Sequence, residues 1–288
     1  MSNNGNGNKL VIGLAQMEVS KDINKNYEQA ERMAKKAFEK KVDILCFPEL
    51  FTTEYFPQFE KQEIDFSEKI PGKTYEFLSK LAKENNLTII GGSIYENVDD
   101  KNKYNTSLVF GPDGNLLGKY RKMHIPFDVC FYERNYFKEG DLGYQVFKTP
   151  KAKIGVLICF DQWYPEPARI LALKGVDIIF YPSAIGYVDG IEQKEGDWHD
   201  AWMNVMRGHA ISNSIPIAAV NRVGREHSMD FWGSSFVCDQ FGKIIAKAEK
   251  REMLLTCEID LSMTDFIREG WGFMKYRRAH TYKELTDL

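Results

Sequence analysis

The sequence has few features that would place the protein in a membrane or on nucleic acid. No apolar run approaches the roughly 20 residues of a membrane span, and the opening MSNNGNGN lacks the basic and apolar regions of a secretory signal. Acidic and basic residues nearly balance, 41 against 38, and no long basic block is present to bind a phosphate backbone. We therefore expect a cytoplasmic protein with a disordered leader at residues 1–8 and with neither a nucleic-acid nor a membrane partner.

Cysteine is scarce and irregularly spaced. The chain has five cysteines, an odd number, and no C-x-x-C pair, which favours reduced thiols over a disulfide framework or a zinc site. A glycine-rich turn after the first apolar run is also missing, because GLAQMEVSKD stands there. A doubly wound nucleotide-binding enzyme is therefore not favoured. The cysteines are Cys46, Cys130, Cys159, Cys238 and Cys257.

What the sequence does contain is an alternation of short apolar runs with amphipathic helical patterns. Strands that alternate with helices predict a parallel sheet covered by helices, and VFGPDGNLLGK and VCDQFGKIIAK add antiparallel hairpins. Because no linker rich in Pro, Gly or Ser divides the chain, residues 9–288 are interpreted as a single domain. The predicted strands are KLVIGLAQ, VDILCFPE, LTIIGGSIYE, SLVFGPDG, KIGVLICF, VDIIFYPS and IPIAAVN, and the predicted helices cover 26–41, 74–86 and 165–175.

Two pairs of these segments resemble each other. KLVIGLAQ is similar to KAKIGVLICF, and EKKVDILCFPEL is similar to LKGVDIIFYPSA. Each half of the chain therefore has a strand with Ile-Gly, then a helix, then a strand that begins Val-Asp-Ile. This repeat predicts a pair of sheets related by a pseudo-two-fold axis.

Three chemically active side chains stand at the ends of predicted strands, where α/β proteins bind ligands: Glu49, Lys122 and Cys159. A thiol is mostly protonated at neutral pH, so a nucleophilic cysteine needs a base such as Glu49. Lys122 and the backbone N–H of Phe160 could stabilise the oxyanion of a tetrahedral intermediate. Alone, each side chain has a simpler explanation, namely a buried thiol, a structural ion pair or a solvated basic cluster. Together they suffice to hydrolyse an amide-like C–N bond.

A Cys–His pair is the alternative, but none of the five histidines stands in a cysteine-protease signature.

The segments FPELF, KYRKMHIP and GVLICFDQWYPEPAR resemble the three motifs of the nitrilase, or carbon–nitrogen hydrolase, superfamily, whose catalytic Glu, Lys and Cys occur in this order. The resemblance covers nearly the whole chain. It implies an α/β fold, a four-layer αββα sandwich with an internal pseudo-two-fold, that forms homodimers or higher homo-oligomers. It also implies a second glutamate near the lysine, and FYERNYF places Glu133 there. The chemistry, which passes through a thioester-type intermediate on the cysteine, needs no metal or organic cofactor.

Within the superfamily, CFDQWYPEPAR, FYPSAIG and FWGSSFV most resemble the subgroup that hydrolyses N-carbamoylputrescine to putrescine, CO2 and ammonia in polyamine synthesis. Two departures, Phe160 in place of a usual Trp and a missing proline in PFDVCFYE, bear on the substrate. A cationic substrate calls for carboxylates or aromatic faces, and the acidic stretch GIEQKEGDWHD could close over the entrance. The predicted substrate-binding residues are Tyr55, Asp128, Phe131, Trp163, Ser183 and Tyr187.

Three other functions stay open. An N-carbamoyl amino acid such as N-carbamoyl-β-alanine, or an aliphatic amide, would use the same chemistry on a different substrate. A non-catalytic scaffold on the same fold is a different class, because a fold does not determine a function.

Overall fold

The computed structural model describes residues 9–287, so the predicted leader at 1–8 lies outside the described residues. The strands are β1 (Lys9–Gln16), β2 (Ile44–Cys46), β3 (Thr88–Ile90), β4 (Ile94–Asp99), β5 (Asn102–Phe110), β6 (Leu116–Arg121), β7 (Val146–Lys148), β8 (Lys153–Val156), β9 (Ile178–Ser183), β10 (Gly186–Val188), β11 (Ile217–Asn221), β12 (Val223–Glu226), β13 (Met229–Trp232), β14 (Phe236–Cys238), β15 (Ile244–Lys247) and β16 (Met253–Asp260). The helices are α1 (Ile23–Glu39), α2 (Lys73–Asn85), α3 (Pro165–Leu173), α4 (Trp198–Asn213), α5 (Met263–Trp271) and α6 (Glu284–Asp287).

Two large sheets form the centre of the molecule. The first has the order β16-β1-β2-β3-β5-β4, with β6 also paired to β5, and the second has the order β15-β14-β11-β9-β8-β7. A three-stranded sheet, β10-β13-β12, lies apart from both. None of the helices within residues 9–287 has the length and apolar character needed to cross a membrane.

The two large sheets repeat one pattern of strand directions, which confirms the predicted pseudo-two-fold. From β16 to β6 the pairings are antiparallel, parallel, parallel, antiparallel and antiparallel, and the same series runs from β7 to β15. The repeat extends to single hydrogen bonds. Val11 N donates to Asp43 Oδ2 at 2.9 Å, and Lys153 N donates to Asp177 Oδ2 at 2.7 Å.

Each half of the chain also gives its last strand to the sheet of the other half. β7, at the end of the first half, pairs with β8, and β16, at the end of the second half, pairs with β1. The two sheets are therefore completed reciprocally.

Alternation along the strands produces four layers. In β1, Leu10, Ile12 and Leu14 are buried in the apolar core that also contains the second sheet, because successive side chains point to opposite faces of a sheet. The other face of the first sheet is covered by apolar residues of α1 and α2, such as Met33 and Leu78. Helices α3 and α4 cover the second sheet in the same way. The result is the predicted αββα sandwich.

One predicted strand, LTIIGGSIYE, is two strands in the structure. β3 ends at Ile90 and β4 begins at Ile94, and between them Gly92 has φ +52°. A Cβ atom on Gly92 would lie 1.9 Å from the carbonyl oxygen of Pro48. The break therefore lets the chain pass directly against the peptide that precedes Glu49.

Candidate active site

Cys159 lies at a sharp change of direction. The apolar run predicted as a strand to residue 160 leaves the sheet at Val156, and a 3₁₀ turn begins at Cys159 itself. Cys159 has φ +43°, a left-handed conformation that non-glycine residues adopt rarely and at a cost of about 1–3 kcal/mol. The side chain is 5 % exposed. The turn thus places Cys159 in the lining of a cavity while most of the residue stays buried.

Lys122 joins the two glutamates into one buried cluster. Its Nζ lies 2.8 Å from Glu49 Oε1 and 2.8 and 2.7 Å from the two carboxylate oxygens of Glu133. All three side chains are 0 % exposed. Glu49 follows β2, Lys122 follows β6 and Glu133 begins a 3₁₀ turn, so packing of three separate segments brings these charges together.

The two oxygens of Glu49 have different surroundings. Oε1 accepts hydrogen bonds from Lys122 Nζ and from Asn105 Nδ2, each at 2.8 Å. Oε2 is buried and has no hydrogen-bond partner within residues 9–287. A buried carboxylate oxygen without a donor is costly, and it is the natural acceptor for a proton from a bound reactant.

Arg222 holds the backbone around Glu49. Its Nη2 donates to the carbonyl oxygens of Glu49 at 2.7 Å and Leu50 at 2.9 Å, and its Nη1 pairs with Glu226 Oε1 at 2.6 Å. The guanidinium is fully buried. Sequence reasoning missed this residue, which lies 173 positions from Glu49.

The charges of the cluster act on each other strongly. Burial disfavours the ammonium of Lys122, but the carboxylates of Glu133 and Glu49 outweigh this effect and raise its pKa. Burial raises the pKa of Glu133 to about 7, against the opposing effect of Lys122. Burial and the charge of Glu49 raise the pKa of the Cys159 thiol well above its ordinary value, although Lys122 lowers it. In the resting site the cysteine is therefore a thiol, and its activation requires a base.

A cavity of about 490 Å³ opens above Cys159 and Glu133. Its lining includes Phe160 and three of the predicted substrate-binding residues, Asp128, Phe131 and Trp163. The described lining residues include no lysine or arginine. Within residues 9–287 no group of three or more His, Cys, Asp or Glu side chains is arranged to hold a metal ion.

The other three predicted substrate-binding residues lie outside the cavity lining. Tyr55 is fully buried and donates from its hydroxyl to Glu133 Oε1 at 2.7 Å, so it supports the cluster from behind. Ser183 is buried and lies 3.3 Å from Gln162 Oε1. Tyr187 packs on Trp232 with ring centroids 5.1 Å apart.

Sequence reasoning did not single out Glu195 and Trp198, which also line the cavity. The indole N–H of Trp198 donates to Glu195 Oε1. Both lie in the acidic stretch that was expected to close over the entrance. The acidic composition of that stretch was the sequence signal that could have pointed to these two residues. The sequence could not show which of its carboxylates faces the cavity.

Comparison with known proteins agrees with this geometry. A comparison with protein-family models matches the carbon–nitrogen hydrolase family over residues 11–269. The chain belongs to the carbon–nitrogen hydrolase family. It is therefore a hydrolase of C–N bonds other than peptide bonds, as the three motifs predicted.

Individual carbon–nitrogen hydrolases match over nearly their whole length. The chain is 38% identical to an N-carbamoylputrescine amidase of Arabidopsis thaliana, with 100% of this chain and 99% of the relative covered. It is 33% identical to a citrullinase of Francisella tularensis, with coverage of 96% and 98%. A crystal structure of a carbon–nitrogen hydrolase from Helicobacter pylori has a TM-score of 0.92 and 38% identity, and the match covers 96% of this chain and 98% of that one.

Proposed function

We propose that the protein hydrolyses N-carbamoylputrescine to putrescine, CO2 and ammonia, with Cys159 as the nucleophile. The observation that carries the proposal is the cavity itself, whose lining contains the Cys159 thiol, the carboxylate of Glu133 and further carboxylates. Lys122 links Glu133 to Glu49 behind that lining. The similarity to plant N-carbamoylputrescine amidases supports the same substrate.

In the first half of the reaction, the Cys159 sulfur attacks the ureido carbonyl carbon. Glu49 takes the thiol proton as the S–C bond forms, because its Oε2 is unpaired within the described residues and the thiol is protonated at rest. Lys122 and the Phe160 N–H stabilise the oxyanion. Glu49 then gives the proton to the terminal nitrogen, the C–N bond breaks and ammonia leaves.

In the second half, water attacks the thioester-type intermediate. Glu49 takes a proton from the water, and Glu133 helps to position it while holding Lys122. The S–C bond breaks, Cys159 regains its proton, and the released N-carboxyputrescine loses CO2 to give putrescine. Each atom of the urea and water is accounted for without a metal or an organic cofactor.

The far end of the substrate carries an ammonium group, and the cavity offers it Asp128 and Glu195. An N-carbamoyl amino acid would instead present a carboxylate to these acidic side chains. Like charges repel, so the lining favours the diamine. The aromatic faces of Phe131 and Trp163 suit the same cation.

A side-by-side assay tests the substrate. Ammonia release is measured with N-carbamoylputrescine, N-carbamoyl-β-alanine and a simple aliphatic amide at equal concentrations. We expect N-carbamoylputrescine to have the highest kcat/KM. A strong preference for either of the others would overturn the substrate assignment and leave the chemistry of Cys159 standing.

A matched pair of variants tests the ammonium contact. Glu195→Gln should raise KM for N-carbamoylputrescine severalfold, since it removes a carboxylate that lines the cavity and can pair with the ammonium. Hydrolysis of the neutral analogue butylurea should change little. Glu192→Gln is the control, because Glu192 belongs to the same segment but is not among the described residues that line the cavity, and its side chain pairs with Lys194. Equal effects of both variants would contradict a specific role for Glu195.

A non-catalytic scaffold is the alternative from another class. Catalysis predicts a covalent adduct on Cys159 after brief exposure to substrate or iodoacetamide, mapped by peptide mass spectrometry. It also predicts that Cys159→Ala and Cys159→Ser abolish ammonia release. Near wild-type release by either variant would refute the mechanism.

We also propose that the protein is a homodimer or a higher homo-oligomer. Large apolar side chains near the C-terminus are exposed, including Phe266 at 70%, Trp271 at 58% and Tyr276 at 72%, and a second copy would cover them. Light scattering of the purified protein decides the oligomeric state, and a monomer at micromolar concentration would contradict the proposal.

Two further proposals concern the chain as a whole. The reciprocal exchange of β7 and β16 supports one cooperative domain over residues 9–288, and a single unfolding transition would test it.

All five cysteines are free, which supports a reducing compartment such as the cytoplasm, and cell fractionation would test that.

A further inference from the structure

Asp161 is a buried carboxylate that the reaction described above does not use. It lies two residues after Cys159 and is 0% exposed. Its Oδ2 accepts from the backbone N–H of Ile158 and from the hydroxyl of Tyr120, both at 2.8 Å. Its Oδ1 accepts from His124 N at 3.0 Å and lies 2.7 Å from His124 Nδ1.

These contacts explain how the carboxylate is tolerated without a lysine or arginine partner among the described residues. A buried charge needs donors that replace water, and Asp161 has two on each oxygen. Burial and the charge of Asp161 raise the pKa of Tyr120 well above its ordinary value, so the phenol keeps its proton and donates it.

The partners of Asp161 come from two segments that the reaction must hold together. Ile158 immediately precedes the nucleophile. Tyr120 and His124 flank Lys122, each two residues away. Asp161 thus ties the backbone of the cysteine turn to both sides of the lysine.

We propose that Asp161 is a positioning residue that sets the distance between the Cys159 sulfur and the Lys122 ammonium. It is not among the described residues that line the cavity, so it acts through these two groups rather than on the substrate. Cys159 sits in a strained conformation with φ +43°, which persists only where its surroundings hold it, and the bond from Ile158 N supplies part of that restraint. The proposal rests on Cys159 being the nucleophile and not on the identity of the substrate.

Asp161→Asn tests the proposal, since the amide has the same shape but turns a donor toward groups that are themselves donors. We expect kcat for ammonia release to fall about 100-fold, the loss typical of a catalytic group displaced by about 1 Å, with KM unchanged. The second readout is the rate at which iodoacetamide alkylates Cys159 as a function of pH, followed on the Cys159 peptide. The midpoint of that profile should move to higher pH, because the thiolate loses part of its interaction with Lys122 while Glu49 and Glu133 still face it.

The alkylation profile needs no substrate, so it distinguishes this proposal from a wrong substrate assignment. Asp177→Asn is the control: Asp177 also accepts a backbone N–H of the β8 segment, from Lys153, but at the opposite end of the strand. It should leave kcat and the profile unchanged.

If Asp161→Asn does not fold, Tyr120→Phe removes one donor and should lower kcat and move the profile in the same direction by a smaller amount. The proposal would be overturned if the folded Asp161→Asn protein had a wild-type kcat and an unshifted alkylation profile. If that variant does not fold, the same result in Tyr120→Phe would overturn it. An increase in KM alone would also overturn it.

Discussion

Lys122 and Arg222 are both fully buried cations that contact Glu49, but their surroundings differ. Arg222 pairs with the single carboxylate of Glu226 and donates to backbone carbonyl oxygens, so positive and negative charge balance. Lys122 lies between two carboxylates, Glu49 and Glu133, which leaves one surplus negative charge when all three groups are ionised.

The carboxylates of the two clusters differ in the same way. Glu226 uses both oxygens, because Oε2 accepts from Tyr55 N at 2.7 Å while Oε1 accepts from Arg222. Glu49 leaves Oε2 without a donor within residues 9–287. A charge-balanced pair whose carboxylate has donors on both oxygens fixes the backbone, whereas an unbalanced cluster with one carboxylate oxygen lacking a donor can exchange a proton. The following predictions test that distinction.

The largest effect is expected at Glu49. Glu49→Gln keeps the size of the side chain and an oxygen for Lys122 and Asn105, but removes the base. We expect kcat to fall about 10³-fold, within the range of 10²–10⁴ for a general base, with an almost unchanged melting temperature. Ammonia release and thermal unfolding measure the two quantities. Activity above about a tenth of wild type would mean that another group takes the thiol proton.

At Arg222 the main effect should be on stability. Arg222→Met leaves Glu226 as an unpaired buried charge, so the free energy of unfolding should decrease by about 3–5 kcal/mol in denaturant titrations. The double variant Arg222→Met/Glu226→Leu should recover part of this loss because neither charge remains. A single variant as stable as wild type would show that the cluster has no structural role.

Burial, with a smaller contribution from the charge of Glu49, predicts a pH dependence at Glu133. Its pKa is raised from 4.5 to about 7 in the folded protein, so folding binds a proton between these values. Its contribution to stability is present below pH 4.5 and is lost as pH rises through 7. Glu133→Gln cannot titrate. The unfolding free energy of wild type relative to this variant should therefore fall, by on the order of 3 kcal/mol, as pH increases. A rise over the same range would contradict the raised pKa.

The smallest effect is expected at Ser183, which occupies in the second half the position of Glu49 in the first. Each ends a sequence segment that begins Val-Asp-Ile and has an aromatic residue and a proline directly before its last residue. Ser183 Oγ makes only long contacts of 3.3 Å, so Ser183→Ala should cost less than about 1 kcal/mol of stability. We expect the kcat of Ser183→Ala to stay within a factor of about two of wild type. A loss of kcat comparable to that of Glu49→Gln would instead show that Ser183, in the second half of the chain, takes part in proton transfer.

Much of the fold could be predicted because it depends on local patterns. Short apolar runs, turns that contain glycine and the Val-Asp-Ile repeat predicted β1, the hairpins and the pseudo-two-fold. The break of LTIIGGSIYE could not be predicted, since it depends on the approach of Gly92 to Pro48, which is distant in sequence. The three-stranded sheet was missed because its strands are three or four residues long and lack a clear alternation.

The residues of the candidate site also fall into those that the sequence could predict and those that it could not. Glu49, Lys122, Glu133 and Cys159 lie in short segments that resemble family motifs. The roles of Arg222, Glu195 and Asp161 depend on which buried polar groups meet after packing. A lone Arg in AVNRVG gives no sign that its guanidinium reaches carbonyl groups 172 and 173 positions away.

The pairing of β1 with β16 also bears on how the chain is made. Lys9 faces Asp260 and Gln16 faces Met253, so one edge of the earliest strand stays open until more than four fifths of the chain has left the ribosome. Open strand edges promote aggregation, and pairings so distant in sequence close slowly. Truncation before Met253 should therefore yield insoluble product rather than a smaller folded unit.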